Sequence, residues 1–180
     1  MNTEEDIDKK NTTHSALLFL RDSIDNIDSA ILSILFHRAQ IINNITKYKK
    51  AHRISPKQSQ LRRDTIFELV EFSSSLNLSS RFTKAFFEQL YKDNDHFCDS
   101  KTHDLVIEFF LSKENLLEQF NDSLKYVDIS LCSLLSERMH LVKQVGEYKK
   151  AKHIQPLAKS RWEAVLKTKI NMAQAQLQLC

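Results

Sequence analysis

One glycine in 180 residues, Gly146, leaves this chain with almost none of the residue that most easily adopts positive φ. Sheets fold back on themselves through tight turns that rely on such residues, so a β-sandwich, a barrel or a doubly wound α/β fold is disfavoured. Gly-rich phosphate loops, the P-loop and the dinucleotide fingerprint among them, are excluded. Pro56 and Pro156 are the only prolines. A chain with so little punctuation reads as all-α, built from a few long helices.

A repeat organises those helices. Shifting the sequence by one hundred residues lays LRDSIDNIDSAILSILFHRAQIINNITKYKKAHRISP (20–56) over FNDSLKYVDISLCSLLSERMHLVKQVGEYKKAKHIQP (120–156) without a gap. Twelve of the 37 positions are identical, including Asp28/Asp128, Arg38/Arg138, Tyr48/Tyr148, Lys49/Lys149 and Pro56/Pro156. Chance predicts roughly 5–6% identity at ordinary residue frequencies, so the segments are a duplication. Ile24, Ile27, Ile31, Ile34, Leu35, Ile41, Ile42, Ile45 and Tyr48 recur at the three- and four-residue spacing of an amphipathic helix, and their mates repeat the stripe.

The spacing predicts long helices over about 16–51 and 116–151, each ended by its proline. A helix capped by Ser55-Pro56 should run to about Ser73, and another should follow Ser79 or Ser80. After Pro156 one more helix fits, carrying Trp162, Val165, Leu166, Ile170 and Ala173. The organisation expected is a flexible N-terminus over 1–14, a three-helix repeat over 15–98, a helical connector over 99–115 and a two-helix repeat over 116–180. Two apolar stripes in need of partners predict that the long helices pack antiparallel within one chain. A domain-swapped homodimer is the competing arrangement.

Composition narrows the function classes. Twenty-six Lys and Arg against 23 Asp and Glu give a net charge of +3, too small and too dispersed for a nucleic-acid surface. Cys98, Cys132 and Cys180 lack CxxC spacing, which suits reduced thiols in a cytoplasmic protein. The polar start, MNTEEDIDKKN, is unlike a targeting peptide, and no apolar run reaches the roughly 18 residues of a membrane helix. The seven histidines show no ligand spacing, so no metal or other cofactor is expected. Cys132 reads as a small buried hydrophobe and Trp162 as core.

Basic residues stand in the apolar seam. Arg38 lies seven residues from Ile31 and from Ile45, and Lys49 seven from Ile42. Being eleven apart, Arg38 and Lys49 differ by only about 20° around the helix and about 16.5 Å along it. Arg138 and Lys149 reproduce the arrangement. Buried cations need partners. Either they pair with inward carboxylates or let only their stems be covered, or they clamp a small anion bearing two separated negative groups.

LRDSIDNIDSAILSILFHR…KYKK resembles the all-helical chorismate mutases, and LLSERMHLVKQVGEYKKAKHI…SRWEAVL is the closer match to that family's first two helices. The resemblance covers about 16–98 as a full three-helix unit and 116–179 as one lacking its third helix. It implies a bundle of the chorismate mutase II type, here an internal pseudo-dimer. It also implies conversion of chorismate to prephenate without a cofactor, in pockets that borrow an Arg across the dimer. By that resemblance Arg38 and Lys49 serve one pocket, with Arg62 from the second helix. Arg138, Lys149 and Arg161 serve the other, completed by Arg21. Arg21 lies seventeen residues before Arg38, about 260° around the helix, so it cannot serve Arg38's own pocket.

The departures are specific. Asn121 stands where the repeat mate of Arg21 should be. The family's Arg-then-Glu on the second helix reads Leu61-Arg62-Arg63 in the first copy and Arg161-Trp162-Glu163 in the second. Cys98, with Asn94 one turn earlier, takes the place of a third-helix polar residue. The second-copy pocket, with Arg21, is therefore expected to be the better formed, Lys149 and Lys49 being the catalytic groups. Activity below that of a complete family member is expected. An isochorismate pyruvate lyase is a close variant of this reading. The alternative from another class is a non-catalytic module that binds a metabolite or a protein partner.

Overall fold

A 49-residue helix cannot bury an apolar stripe by itself, and in this chain the duplicated helix supplies the other half. The computed structural model describes residues 3–55, 59–97, 115–155 and 159–178, with side chains described over 15–55, 62–93, 115–155 and 163–175. All elements among the described residues are helices: α1 (Thr3–Ala51), α2 (Ser59–Ser75), α3 (Ser80–Phe97), α4 (Leu116–Ala151) and α5 (Lys159–Gln178). The fold is all-α, as the shortage of glycine predicts.

The largest interface joins α1 to α4. Two ion pairs set its direction. Arg38 pairs with Asp128, and Arg138 pairs with Asp28. Advancing ten residues along α1, from Asp28 to Arg38, moves the partner ten residues back along α4, so the helices are antiparallel. The repeat mates exchange roles across this interface, and the two copies form a pseudo-dimer inside one chain.

The ends of the helices depart from expectation in two ways. First, α1 begins at Thr3 rather than near residue 16, and so includes most of the polar stretch expected to be flexible. Second, both long helices end at Ala51 and Ala151, the expected bounds, but residues ahead of the prolines make the closure. Arg53 and His153 adopt left-handed φ of 54° and 53°. The amides of Ile54 and Ile154 then donate to the carbonyls of Lys49 and Lys149, at 2.8 and 2.9 Å. This six-to-one closure ends a helix without proline, and it usually employs glycine at the left-handed position. Residues 56–58 and 156–158, which include both prolines, lie outside the described residues.

Leu76–Ser79 turns the chain from α2 to α3, with Asn77 at φ 60° and the Leu78 amide bonded to the Ser73 carbonyl. Ser79 accepts from the Phe82 amide at 3.4 Å, in the capping role expected of it. α2 runs beside α4, tied by Lys125–Glu68 and by the Ser136 hydroxyl donating to the Leu76 carbonyl. Between α1, α2, α3 and α4 lies the core of Leu69, Phe87, Leu131 and Cys132, with Ile31, Leu35 and Ile66 packed around it. Burying a side chain such as Phe87 contributes about 1.5–3 kcal/mol. Cys132 is buried as expected, and burial pushes its thiol up to about 12, so it is a packing residue.

The second copy has α5 where the first has α2. Leu166 and Ile170 remain 43% and 48% exposed, while their mates Ile66 and Val70 are partly covered where α3 packs on α2. Cys98 and the expected connector, save Asn115 at its end, lie outside the described residues.

Candidate functional site

Arg38 projects from α1 into the interface with α4 and is 1% exposed. Its Nε donates to Asp128 Oδ1 at 2.6 Å, and Nη2 to Asp128 Oδ2 at 3.4 Å. The Tyr91 hydroxyl, arriving from α3, donates to the same Oδ2 at 3.3 Å. Asp128 is fully buried, and burial raises its carboxyl above the usual range despite the neighbouring guanidinium. Burial first, and Asp128 second, raise the Tyr91 phenol to about 12, so the phenol stays protonated as a donor.

One atom of this arrangement is left over. Nη1 of Arg38 is buried and has no hydrogen-bond partner among the described residues. Native interiors rarely leave such a donor unmet, because it keeps its desolvation cost of about 1–3 kcal/mol uncompensated.

Two further cations gather beside it. The guanidinium carbon of Arg38 lies 4.9 Å from the Tyr91 ring centroid, and that of Arg62, from α2, lies 5.8 Å from the same centroid. Lys49 is buried on α1, and its pKa is lowered first by burial and then by the charge of Arg62. Tyr91 and Arg62 therefore bring Arg38 and Lys49, eleven residues apart on one helix, into a common cationic region. The alignment between α1 and α4 sets Asn121 opposite Ile45, between the levels of Arg38 and Lys49.

The second copy is built differently. Arg138 is 35% exposed and its Nε donates to Asp28 Oδ1. Lys169 of α5 reaches Asp28 Oδ2 at 3.6 Å and Asp25 Oδ1 at 3.0 Å. Lys169 is the repeat mate of Leu69. It supplies to Asp28 the second contact that Tyr91 supplies to Asp128. Lys149 and Arg21 are partly covered and engaged in interactions of their own. The helix alignment sets Arg21 opposite Val145, between Arg138 and Lys149. Arg161 lies on α5, but its side chain falls outside the described residues, as do those of Trp162 and Asn94.

The first copy, not the second, holds the buried cations Arg38 and Lys49. The physical reason is α3, which covers Arg38 and has no counterpart over Arg138 among the described residues. Of the readings open for the seam cations, pairing with an inward carboxylate is observed for Arg38, with Asp128, and for Arg138, with Asp28. Two partners escaped the sequence reading. Tyr91 carries no local signal, and Lys169 is visible only as a charged residue opposite Leu69. Asp28 and Asp128 did carry a signal, being identical in both copies and ten residues before an identical Arg.

His37, His52, His140 and His153 are exposed, and no cluster of potential metal ligands exists among the described residues. No described helix is long and apolar enough to cross a membrane. The family model for chorismate mutase type II matches residues 20–94 and again 121–178, nearly three quarters of the chain. No curated protein and no solved structure matches it.

Proposed function

Taking as premise that this chain belongs to the chorismate mutase type II family, we propose that its first-copy site binds a chorismate-like dicarboxylate and converts chorismate to prephenate at a reduced rate. The observation that carries the reading is the unmet Nη1 of the buried Arg38, beside Arg62 and Lys49. A guanidinium with one edge paired to Asp128 and one donor left over is oriented before any ligand arrives. An anion at Nη1 would satisfy that donor.

The rearrangement is intramolecular and needs no nucleophile, metal or proton shuttle. Catalysis must come from holding the dicarboxylate in a compact conformer and stabilising charge on the breaking ether oxygen. Arg38 and Arg62 act as carboxylate ligands in this reading, and protonated Lys49 as the donor to the ether oxygen. Burial beside Arg62 disfavours the charge on Lys49, whereas a bound dianion restores it, so substrate itself strengthens the donor. The borrowed Arg is replaced by Asn121, and loss of one such preorganised donor typically costs on the order of 10²–10³ in rate.

The test is calorimetric titration with chorismate followed by an assay for prephenate, on wild type, Arg38→Lys and Arg138→Lys. Arg38→Lys should weaken chorismate binding at least about tenfold, the cost of one charge-assisted contact, while Arg138→Lys should change it less than about twofold. The opposite order would move the site to the second copy. Binding without turnover would favour the non-catalytic module, a reading supported by the reciprocal ion pairs that already occupy Arg38 and Arg138.

A further inference from the structure

In the first copy α3 packs against both α1 and α2, and Ala39 and Ile42 of α1 and Ile66 and Val70 of α2 are partly covered. The repeat mates of these four are Met139, Val142, Leu166 and Ile170, all apolar and between 39% and 50% exposed. They stand at one height in the bundle, because Arg138 of α4 and Lys169 of α5 both reach Asp28. Single apolar residues are ordinary on a surface, but two helices presenting them side by side mark an interaction surface. Gly146, the only glycine of the chain, lies on the same side of α4, four residues beyond Val142 and seven beyond Met139. No described atom comes within 4 Å of where its Cβ would stand. Glycine inside a helix is unfavourable relative to alanine, and its one structural advantage there is room for another backbone to approach.

The chain's own connector cannot fill this face. The only undescribed stretch longer than three residues is 98–114, and its apolar run ends at Leu111, four residues before Asn115. Four residues reach about 14 Å when fully extended, whereas Met139 lies 23 residues along α4 from Leu116, about 35 Å away. The third helix of another molecule is not available either, because α3 is already packed on its own α1 and α2. Exposed charges of both signs border the face, Lys143 and Glu147 on α4 and Glu163 and Lys167 on α5. A border of mixed sign can meet a copy of itself, whereas a border of one sign would repel it. We propose that two copies of this chain pack these α4–α5 faces together about a twofold axis, each covering Leu166 and Ile170 of the other. Such an interface is isologous and closes at two copies. It is distinct from the α1–α4 pairing, which stays within each chain, and it stands independently of the activity proposed above.

The experiment is sedimentation equilibrium of the full chain over a range of concentrations, for wild type, Ile170→Glu, Gly146→Gln and, as a control, Phe67→Glu. Wild type should form a reversible dimer of twice the chain mass, with micromolar affinity or tighter, the range that interfaces of ordinary size reach. Ile170→Glu sets an unpartnered charge in the contact and should weaken the dimer at least about tenfold. Gly146→Gln improves helix propensity while filling the space in front of α4, so it should weaken the dimer without loss of helical circular dichroism. That variant keeps the test decisive should Ile170→Glu fail to fold. Phe67 is 63% exposed on α2, in the first copy, and Phe67→Glu should leave the dimer unchanged. A wild-type chain that sediments as a monomer at every concentration overturns the proposal. A dimer unaffected by both Ile170→Glu and Gly146→Gln also overturns it and places the contact elsewhere, in an exchange of helices between chains if dilution does not dissociate it.

Discussion

The two copies place the same Arg–Asp pair in different surroundings. In the first, α2 and α3 close over Arg38 and Asp128, which are 1% and 0% exposed as side chains, and Tyr91 supplies the second contact to the carboxylate. In the second, α5 alone approaches Arg138 and Asp28, at 35% and 13%, and Lys169 supplies it. Identical chemistry at identical helix positions thus becomes an oriented, partly unsatisfied cation in one place and a water-accessible ionic cluster in the other. A third helix makes the difference, because it removes water and with it the screening that makes ion pairs weak.

The largest test of this contrast is removal of the carboxylates. Asp128→Ala leaves Arg38 buried without its counter-charge and should cost about 3–5 kcal/mol in denaturant unfolding. Asp28→Ala leaves cations that water can reach and should cost about 1 kcal/mol or less. Equal losses would mean that the two pairs are energetically alike despite their burial.

The acid range sharpens the same comparison. Asp128 has its folded pKa raised above its unfolded value, mainly by burial. Between those two values the native state holds more protons than the unfolded state, so this group's contribution is fully present below the unfolded pKa. It is lost as pH rises through the folded pKa. Urea unfolding at several pH values should therefore show wild type losing stability relative to Asp128→Asn as pH rises from about 4, the usual carboxylate pKa. A flat difference would show that Arg38 offsets burial completely.

A smaller effect attends the exchange of α5's partner for the first copy's residue. Lys169→Leu restores the side chain found at Leu69 but removes two ion pairs and a hydrogen bond to the Asp25 carbonyl, all within reach of solvent. It should cost about 1 kcal/mol and reduce the salt dependence of unfolding. A loss of about 3 kcal/mol or more would assign Lys169 the energetic weight of a buried ion.

The smallest expected effect is a gain. Gly146 sits inside α4, opposite Thr46 in the repeat, and nothing lies within 4 Å of where a Cβ would stand. Gly146→Ala should raise stability by about 0.5–1 kcal/mol through helix propensity alone. A higher unfolding midpoint with an unchanged denaturant slope would confirm it. A loss would reveal a contact to α4 outside the described residues.

Helix type and the pairing of the two long helices were legible in the sequence, because each follows from a pattern that repeats. Ile24 to Tyr48 mark a helical face, the hundred-residue shift marks its partner, and two stripes of equal length can bury each other only side by side. The terminators were misread: proline is an obvious stop signal, whereas Arg53 and His153 do the same work through a conformation that glycine usually supplies. The shortage of glycine indicated few turns, and the turns that exist at Arg53, Asn77, Asn115 and His153 were made without it.

By itself the sequence determined the all-α class, the duplication, and the presence of Arg38, Lys49, Arg138 and Lys149 on the inward face, since all of these depend on periodicity along one chain. Only the tertiary structure decided which Arg is enclosed, that Asp128 and Asp28 are the crosswise partners, and that Tyr91 links Arg38 to Arg62. Those facts depend on burial. Burial is a property of what packs from elsewhere in the chain, and residues such as Tyr91 and Arg38, 53 positions apart, show no relation until α3 folds back across α1.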